Sequence, residues 1–350
     1  MIKHLFYKVL FKIVELFLNF YTYIKYFFVK DKTKILLKFR PPQIAQIETE
    51  RKNKTEDPLQ NQSILIIIPF KDKWNLTQNC LQSLAKQKYE NLKVHVVLVD
   101  NNSHEDATRI GLEESALKYK TTFATLKIEK MPIPFNFSKL NNQAVYNFSS
   151  SPIDIVFFLN NDIEFVTEYD LKNLVTFFVN TENIGALGCT LIYPSNSSKK
   201  IIQHSFVAPG MKIVGAHPLK GYPFHADNSW FLSPRAVPAV TGAVFLTYYK
   251  DFIATAGFDE LLPSAYQDVD LCLKLQQINK INWTLSTTVL IHHESATRRK
   301  KINKEEATYM YEKCENILIQ DAFFSKKISR WSEKPTEALF EGEYPWRKAL

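Results

Sequence analysis

Uninterrupted runs of apolar residues are the feature that most constrains the fold of this chain. Three such runs lie at Ser63–Ile68, Lys93–Val99 and Ile153–Leu159, and segments with helical spacing, such as Asn75–Gln87, lie between them. Strands that are apolar throughout are buried on both faces, and their alternation with helices is typical of a parallel sheet covered on both sides. The sequence therefore predicts an α/β fold with a mostly parallel central sheet and helices on both faces.

Polar residues follow each of these runs where the predicted strand ends. Pro69 is expected to stop the first strand, Asp100–Asn102 follow the second, and Asn160–Asp162 follow the third. In open α/β sheets, ligands bind at the carboxyl ends of the parallel strands. The three clusters therefore predict a ligand site at one edge of the sheet.

The ligand at that edge is expected to be held without a glycine-rich loop. The chain has nine glycines and contains neither GxGxxG nor GxxxxGK[ST], the patterns whose backbone N–H groups cradle phosphates. A diphosphate would then need cationic side chains or a metal, and Asp162 offers the hard oxygen ligand that Mg²⁺ or Mn²⁺ prefers. The residues alone leave two interpretations open: a metal–diphosphate site, or an Asn/Asp turn that merely caps a strand.

The amino-terminal segment Met1–Lys30 combines aromatic and apolar residues with a narrow polar stripe. Wound as a helix, that stripe spans about 80°. It consists of His4, Lys8, Lys12, Glu15, Asn19 and Thr22. Charges interrupt the apolar run too often for a membrane-spanning helix, which needs roughly 18 or more apolar residues. We expect an amphipathic helix in a membrane interface; the alternatives are packing on the chain's own core or a partner, and a true span. The polar segment Asp31–Gln62 is predicted to be a linker.

Net charge and cysteine content indicate which partners and which redox compartment to expect for the protein. The formal net charge is +8, and the lysine-rich ends suit anionic lipid head groups or phosphorylated ligands. No helix combines many arginines with a pattern that reads bases, so we expect no nucleic acid partner. The four cysteines form no CxxC pair, which predicts buried thiols in a reducing compartment rather than a zinc site or disulfides.

Seven short motifs occur in order along the body of the chain. They are IIIPFKD (Ile66–Asp72), VLVDNNS (Val97–Ser103), PFNFSKLNNQAV (Pro134–Val145), FLNNDIE (Phe158–Glu164), AVTGAVFL (Ala239–Leu246), AGFDELLPSAYQDVDLCLKL (Ala256–Leu275) and IHHES (Ile291–Ser295). Their order and spacing resemble those of the family 2 inverting glycosyltransferases with the GT-A fold, in particular the rhamnosyltransferase-like enzymes of bacterial surface-polysaccharide synthesis. The resemblance implies a GT-A domain with a Rossmann-like sheet over Ser63–Arg298, and leaves Arg299–Leu350 as a C-terminal helical extension.

The resemblance implies a nucleotide-sugar site at the predicted edge. Pro69 and the loop after it would line the nucleotide pocket, and Asp100 would hydrogen-bond the base. Asn160 would face the ribose or the water shell of a metal. Three further amides are expected to bind the nucleotide sugar: Asn102, Asn141 and Asn161. For Asn141, capping of the following helix is an equal alternative.

The resemblance also implies a metal and a general base. Asp162 and His292 would hold Mn²⁺ or Mg²⁺, and the imidazole tilts the choice toward Mn²⁺. Asp268 would take the proton of an acceptor hydroxyl; the alternatives are a helix cap for Asp268 and an ordinary strand-end histidine for His292. The chain departs from the family in having a single carboxylate at the first metal motif, and Gln267 where an acid usually precedes the base.

The expected activity is metal-assisted, inverting transfer of a sugar from a UDP- or dTDP-sugar to a saccharide or lipid-linked saccharide. The protein is expected in the cytoplasm, peripheral at the inner face of the cell membrane. The alternative from another class is a non-catalytic sugar-nucleotide-binding or assembly subunit of a polysaccharide-synthesis complex, favoured by Gln267 and the thin metal motif. A nucleotidyltransferase normally needs a basic, glycine-rich phosphate loop, which this sequence lacks.

Overall fold

The computed structural model describes residues 59–148, 151–195, 200–211, 214–224, 233–293, 304–319, 327–331 and 333, and five residues of the amino-terminal segment. Most of the predicted linker Asp31–Gln62 and the last residues of the motif IHHES lie outside the described residues. The same is true of most of the predicted amphipathic helix Met1–Lys30 and of large parts of the extension Arg299–Leu350.

Twelve strands and seven helices are numbered here over the described part of the chain. The strands are β1 (Ser63–Phe70), β2 (Lys93–Asp100), β3 (Thr125–Lys130), β4 (Ile155–Leu159), β5 (Ile163–Glu164), β6 (Ile184–Ile192), β7 (Ile202–His204), β8 (Ala208–Pro209), β9 (Gly215–Ala216), β10 (Arg235–Ala236), β11 (Val244–Tyr248) and β12 (Ile281–His292). The helices are α1 (Trp74–Ala85), α2 (Asp106–Lys118), α3 (Phe137–Tyr146), α4 (Asp170–Asn180), α5 (Tyr249–Ala254), α6 (Gln267–Gln277) and α7 (Lys304–Ile319).

One large sheet organises the molecule. Its strand order is β10-β12-β6-β11-β4-β1-β2-β3, with β5 added on β12 and β7 added on β6, while β8 and β9 form a separate pair. The strands β3, β2, β1, β4, β6 and β12 run in one direction, and β11 lies reversed between β4 and β6. This arrangement confirms the predicted α/β fold with a mostly parallel central sheet.

The central strand β1 shows why the sheet is covered on both faces. Every residue of Ile64–Ile68 is completely buried, so both sides of the strand need apolar partners. Ile64, Ile66 and Ile68 belong to the core shared with α1, α2 and α4, whereas Leu65 and Ile67 belong to the core shared with α3, α5, α6 and α7. The prediction of helices on both faces is therefore confirmed.

Pro69 does not stop β1, which corrects the sequence-based boundary. The strand continues to Phe70, and Pro69 lies opposite Val99 of β2. On the other side, the pairing of β1 with β4 ends at Ile67 and Phe158. At Pro69 the strand thus has a neighbour on one side only, and a proline is tolerated at such an edge position.

The five described residues of the amino-terminal segment are helical, and four of them are large, exposed apolar residues: Leu16, Phe17, Phe20 and Ile24. At about 100° per residue these four positions fall within an arc of about 100°, so they share one side of a helix. Within the described residues, no helix is both long and apolar enough to cross a bilayer.

Candidate active site

The loop after β4 lies at the predicted edge of the sheet. Asn160 donates its backbone N–H to the carbonyl of Ala243 (3.0 Å), just before β11. Asn161 turns the other way and donates its side-chain amide to Thr77 Oγ on α1 (2.9 Å). The loop is thus held from two sides, and Asp162 follows it with a side chain that is only 2% exposed.

Asp162 and His292 are brought together by strand pairing. Ile163 of β5 lies opposite His292 of β12, and the backbone N–H of His293 donates to the carbonyl of Asp162 (3.0 Å). As a result, Asp162 Oδ1 and His292 Nε2 are 3.2 Å apart. The structure therefore places both predicted metal ligands at one point.

The spacing of this pair fits a small divalent cation. Two adjacent ligands of an octahedral ion with bonds of about 2.1 Å lie about 3.0 Å apart, close to the observed 3.2 Å. The other ring nitrogen, His292 Nδ1, is buried and has no hydrogen-bond partner among the described residues. No group of three or more His, Cys, Asp or Glu side chains suited to a metal occurs in that part of the chain. A cation here would thus take its remaining ligands from substrate oxygens and water, as Mg²⁺ usually does.

The neighbouring side chains differ in role from this pair. His293 Nε2 lies 2.9 Å from Glu164 Oε1 and so pairs with Glu164, not with Asp162. Cys80 donates its thiol to the carbonyl of Asn160 (3.7 Å). Burial, and then the negative charges of Asp162 and Glu164, raise the pKa of the Cys80 thiol well above its usual value. Cys80 therefore carries its proton in this structure.

Two further histidine rings, those of His204 and His217, lie in a row next to His292. The ring of His204 on β7 lies 5.6 Å from the ring of His292, and the ring of His217 lies 3.8 Å from that of His204. All three come from separate segments, so no local spacing in the sequence predicts the cluster.

Asp268 stands in the first turn of α6. Its Oδ2 accepts a hydrogen bond from the backbone N–H of Gly242 (2.8 Å), and its Oδ1 accepts one from the N–H of Val269 (2.9 Å). The ring of Phe137 borders the same spot, since a methyl group on Gly242 would lie 3.7 Å from both that ring and Asp268 Oδ2. Asp268 is half-buried, so the carboxylate is anchored and still reachable from outside.

A short backbone segment joins the two halves of the site. Gly242 donates to Asp268, and the next residue, Ala243, accepts from Asn160, two positions before Asp162. The predicted metal ligands and Asp268, the candidate base, therefore flank the same loop. Gly242 lies within the motif AVTGAVFL, but no separate feature of the sequence predicts its contact with Asp268.

The predicted nucleotide side is built from the loops after β1 and β2. Asp100 is buried, and its Oδ1 accepts from the backbone N–H of Ser103 (2.8 Å), which closes an Asx-type turn. Asn102 is exposed in a left-handed conformation (φ 62°), and its amide contacts His104 (3.2 Å). Asn101 instead points inward and donates to the carbonyls of Met131 and Ile133.

Asp72 ties these two loops together. Its Oδ1 accepts from the backbone N–H groups of His104 (2.7 Å) and Glu105 (3.0 Å), and its own N–H donates to Ser103 Oγ (2.8 Å). Burial alone would raise the pKa of Asp72, but the bonds from Glu105 and His104 outweigh it and lower that pKa. Asp72 therefore stays charged and fixes the position of the two loops relative to each other.

Asn141 lies inside α3 and not at a strand end. Its side chain is completely buried, and its amide donates to the carbonyl of Phe137 (2.8 Å), one helical turn back. Its Oδ1 is buried without a hydrogen-bond partner among the described residues. Asn136, not Asn141, caps this helix by accepting from Lys139 N–H (2.9 Å). A nucleotide contact of Asn141 stays a prediction.

Comparisons with known proteins identify the family. Residues 65–237 match the family profile described as Glycosyl transferase family 2. The chain is also 32% identical over 242 residues to the O-antigen biosynthesis protein RfbC of Myxococcus xanthus, an alignment that covers 67% of this chain and 18% of RfbC. Residues 65–237 therefore form a domain of glycosyltransferase family 2, and the chain spans about a fifth of the length of this curated relative.

Solved structures show the same fold at low sequence identity. GalNAc-T7, solved with UDP, GalNAc and Mn²⁺, aligns with a TM-score of 0.56 and 12% identity over 73% of this chain and 49% of that one. The mannosyltransferase PcManGT from Pyrobaculum calidifontis, solved with GDP-Man and Mn²⁺, aligns with a TM-score of 0.53 and 13% identity over 89% and 82%. The predicted GT-A fold is thereby confirmed.

Replacing His292 with alanine should weaken Mn²⁺ binding by at least about tenfold, because ligands and their supports typically contribute 10- to 100-fold in metal affinity. The measurement is a titration of Mn²⁺ followed by the electron paramagnetic resonance of the free ion, with UDP present. His293→Ala is the matched control, since His293 pairs with Glu164 instead. An equal loss in both variants, or none in His292→Ala, would contradict the assignment.

Proposed function

We propose that the protein is an inverting glycosyltransferase that moves a hexose-type sugar from a UDP- or dTDP-sugar to a saccharide or lipid-linked saccharide. The observation that carries the proposal is the placement of Asp162–His292 and Asp268 on either side of the loop Gly242–Ala243. The family membership, the nucleotide and Mn²⁺ named for the two structural neighbours, and the O-antigen role named for RfbC support it.

The divalent cation would be held by Asp162 and His292, with Mn²⁺ favoured because imidazole is a softer ligand than water or carboxylate. When bound, such a cation stabilises the negative charge that grows on the diphosphate as the sugar leaves. The pair is almost fully buried, so this electrostatic interaction is weakly screened by solvent.

The nucleotide would lie along the loops after β1 and β2. Asp100 uses one oxygen for its own turn, which leaves the other to accept from a base N–H. Pro69, Asn102 and Asn160 border the same edge in this proposal, Asn161 supports the loop, and Asn141 lies behind it. Because Asp72 locks the two loops together, the pocket is formed before the donor binds.

Asp268 would act as the general base in a single displacement. An acceptor hydroxyl gives its proton to the carboxylate as its oxygen attacks the anomeric carbon, and the nucleoside diphosphate departs from the opposite face. The two hydrogen bonds from Gly242 and Val269 fix the direction of the carboxylate. One displacement inverts the anomeric configuration, and no covalent intermediate forms.

Replacing Asp268 with asparagine should lower the transfer rate by about 10²–10⁴-fold, the usual contribution of general base catalysis, while the donor dissociation constant changes by less than about twofold. The rate is followed by release of nucleoside diphosphate with acceptor present, and donor binding by calorimetry. Asp106→Asn, a change at an exposed carboxylate on α2, is the control. Near-normal turnover in Asp268→Asn would refute the base assignment.

A non-catalytic sugar-nucleotide-binding or assembly subunit is the second candidate. Gln267 favours it: the residue stands where the family usually has an acid, and its Oε1 is buried without a hydrogen-bond partner among the described residues. This candidate predicts that UDP- or dTDP-sugars bind with Mn²⁺ and that no acceptor produces turnover. A thermal-shift screen of nucleotide sugars, followed by turnover assays on those that bind, separates the two.

We further propose that Met1–Lys30 contacts a membrane and that Asp31–Gln62 links it to the transferase domain Ser63–Arg298. Support comes from the exposed apolar residues Leu16, Phe17 and Phe20 and from the lysines along the polar stripe. An interfacial helix would keep the enzyme peripheral at the inner face of the cell membrane, next to a lipid-linked acceptor.

Deleting Met1–Lys30 should release the protein from membranes. Sedimentation with vesicles that contain anionic lipid measures this, and the full chain is expected to pellet while the deletion variant stays in solution. Raising the salt concentration should weaken pelleting only partly, because aromatic burial adds to the charge attraction. Equal pelleting of both forms would rule out this role for the segment.

A further inference from the structure

The loop that presents Asp268 is held by the carboxyl-terminal helix α7. This loop, residues 259–266, is the second part of the connection between α5 and α6 and contains no strand or helix. It ends at Tyr266, whose left-handed backbone (φ 66°) is unfavourable for a bulky side chain. Contacts from elsewhere in the chain must therefore stabilise its conformation.

Glu306 of α7 binds the middle of this loop. The residue is only 3% exposed. Its carboxylate accepts hydrogen bonds from the backbone N–H groups of Ser264 (2.9 Å) and Ala265 (2.8 Å), and from Ser264 Oγ (2.5 Å). Burying a carboxylate is costly unless its oxygens are hydrogen-bonded. The three donors meet that cost, and two of them belong to the backbone just before Asp268.

Lys313 of α7 binds the start of this loop and the first turn of α6, which follows the loop. Its ammonium group lies 2.5 Å from Asp259 Oδ2 and 2.7 Å from Asp270 Oδ1. Asp270 is 1% exposed and sits in the same helical turn as Asp268. Burial alone would lower the pKa of Lys313, but hydrogen bonds and charge from Asp259 and Asp270 raise it well above the usual value. The lysine therefore stays charged between the two carboxylates.

The helix presents these groups from one docked face. Glu306, Met310 and Lys313 are spaced by four and then three residues, so they point the same way. Met310 is completely buried, and Ala307 and Cys314 are buried in the same core as Val269 of α6. The helix is thus packed against the domain, and its polar contacts fall on the loop before the candidate base.

We propose that α7 positions the candidate base of the active site. In this proposal Glu306 and Lys313 are positioning residues: they hold the loop before α6 so that Asp268 lies within reach of the acceptor hydroxyl. The inference rests on the proposed role of Asp268. It concerns a helix outside the segment 65–237 that matches the family profile. A displacement of a catalytic group by about 1 Å can lower the rate about 100-fold, so the loss of these contacts acts on kcat.

Glu306→Gln is the first test, because glutamine keeps the size but turns one acceptor oxygen into a donor that faces backbone N–H groups. We expect kcat to fall by at least about tenfold while the donor dissociation constant stays within about twofold. Hydrogen exchange at the amides of Ser264 and Ala265 should accelerate. Glu312→Gln, at an exposed position of the same helix, is the control and should leave all three quantities unchanged.

Variants of Lys313 provide a second test, which remains informative if Glu306→Gln does not fold. Lys313→Met should lower kcat in the same way, and Lys313→Arg should restore it, because arginine can bridge both carboxylates. Wild-type kcat in folded Glu306→Gln and Lys313→Met, or equal loss of donor binding and turnover, would overturn the inference. Failure of the proposed function shows differently, as an active Asp268→Asn enzyme or as absence of transfer by the unaltered chain.

Discussion

Two hydrogen bonds on adjacent residues connect the parts of this site. Gly242 donates to the candidate base Asp268, and Ala243 accepts from Asn160, two positions before the predicted metal ligand Asp162. The reversed strand β11 makes this possible: Val244 lies opposite Leu159, so the residues just before β11 meet the residues just after β4. A parallel strand in that place would bring its other end to the site.

The absence of a side chain at Gly242 leaves space next to the carboxylate of Asp268. A methyl group there would already lie 3.5 Å from Asp268 Cβ and 3.7 Å from the ring of Phe137, which is ordinary contact. Any larger side chain would fill the space beside the carboxylate. In the proposed mechanism the acceptor uses this space, because its hydroxyl must approach Asp268 within hydrogen-bonding distance.

A single carboxylate and a single imidazole suffice for the proposed electrostatics because both are buried. Asp162 and His292 come from different strands and meet through the β5–β12 pairing. With two protein ligands, the cation would depend on the diphosphate for part of its coordination. Donor and metal binding are then expected to support each other, which accounts for a metal motif with fewer acids than the family usually has.

The sequence predicted the parts of this structure that depend on local pattern. The apolar runs at β1, β2 and β4 predicted the central sheet and its polar edge, because a strand that is buried on both faces is apolar along its whole length. The antiparallel placement of β11, the continuation of β1 through Pro69, and the contact of Glu306 with Ser264 escaped prediction. Each depends on partners far away in the chain; Glu306 and Ser264 are 42 positions apart, and no periodicity encodes such a pairing.

The site residues also divide into features that the local sequence predicts and features that depend on distant contacts. The clusters of Asn and Asp at the strand ends could be located from the sequence. The sequence did not predict which of their side-chain amides face outward. Asn101 and Asn161 use their side chains to hold loops, whereas Asn102 is exposed at the turn. Asn160 interacts through its backbone with β11. Strand ends are therefore located more easily than the direction of each side chain on them.

The central claim is that one cation joins Asp162 and His292 to the donor diphosphate. Electron–nuclear double resonance of Mn²⁺ in the complex with UDP, on protein labelled with ¹⁵N-histidine, tests it directly. The account predicts coupling of the same ion to ³¹P of the diphosphate and to one imidazole nitrogen, lost when His292 is replaced. Phosphorus coupling without any histidine coupling would place the diphosphate elsewhere and contradict the account.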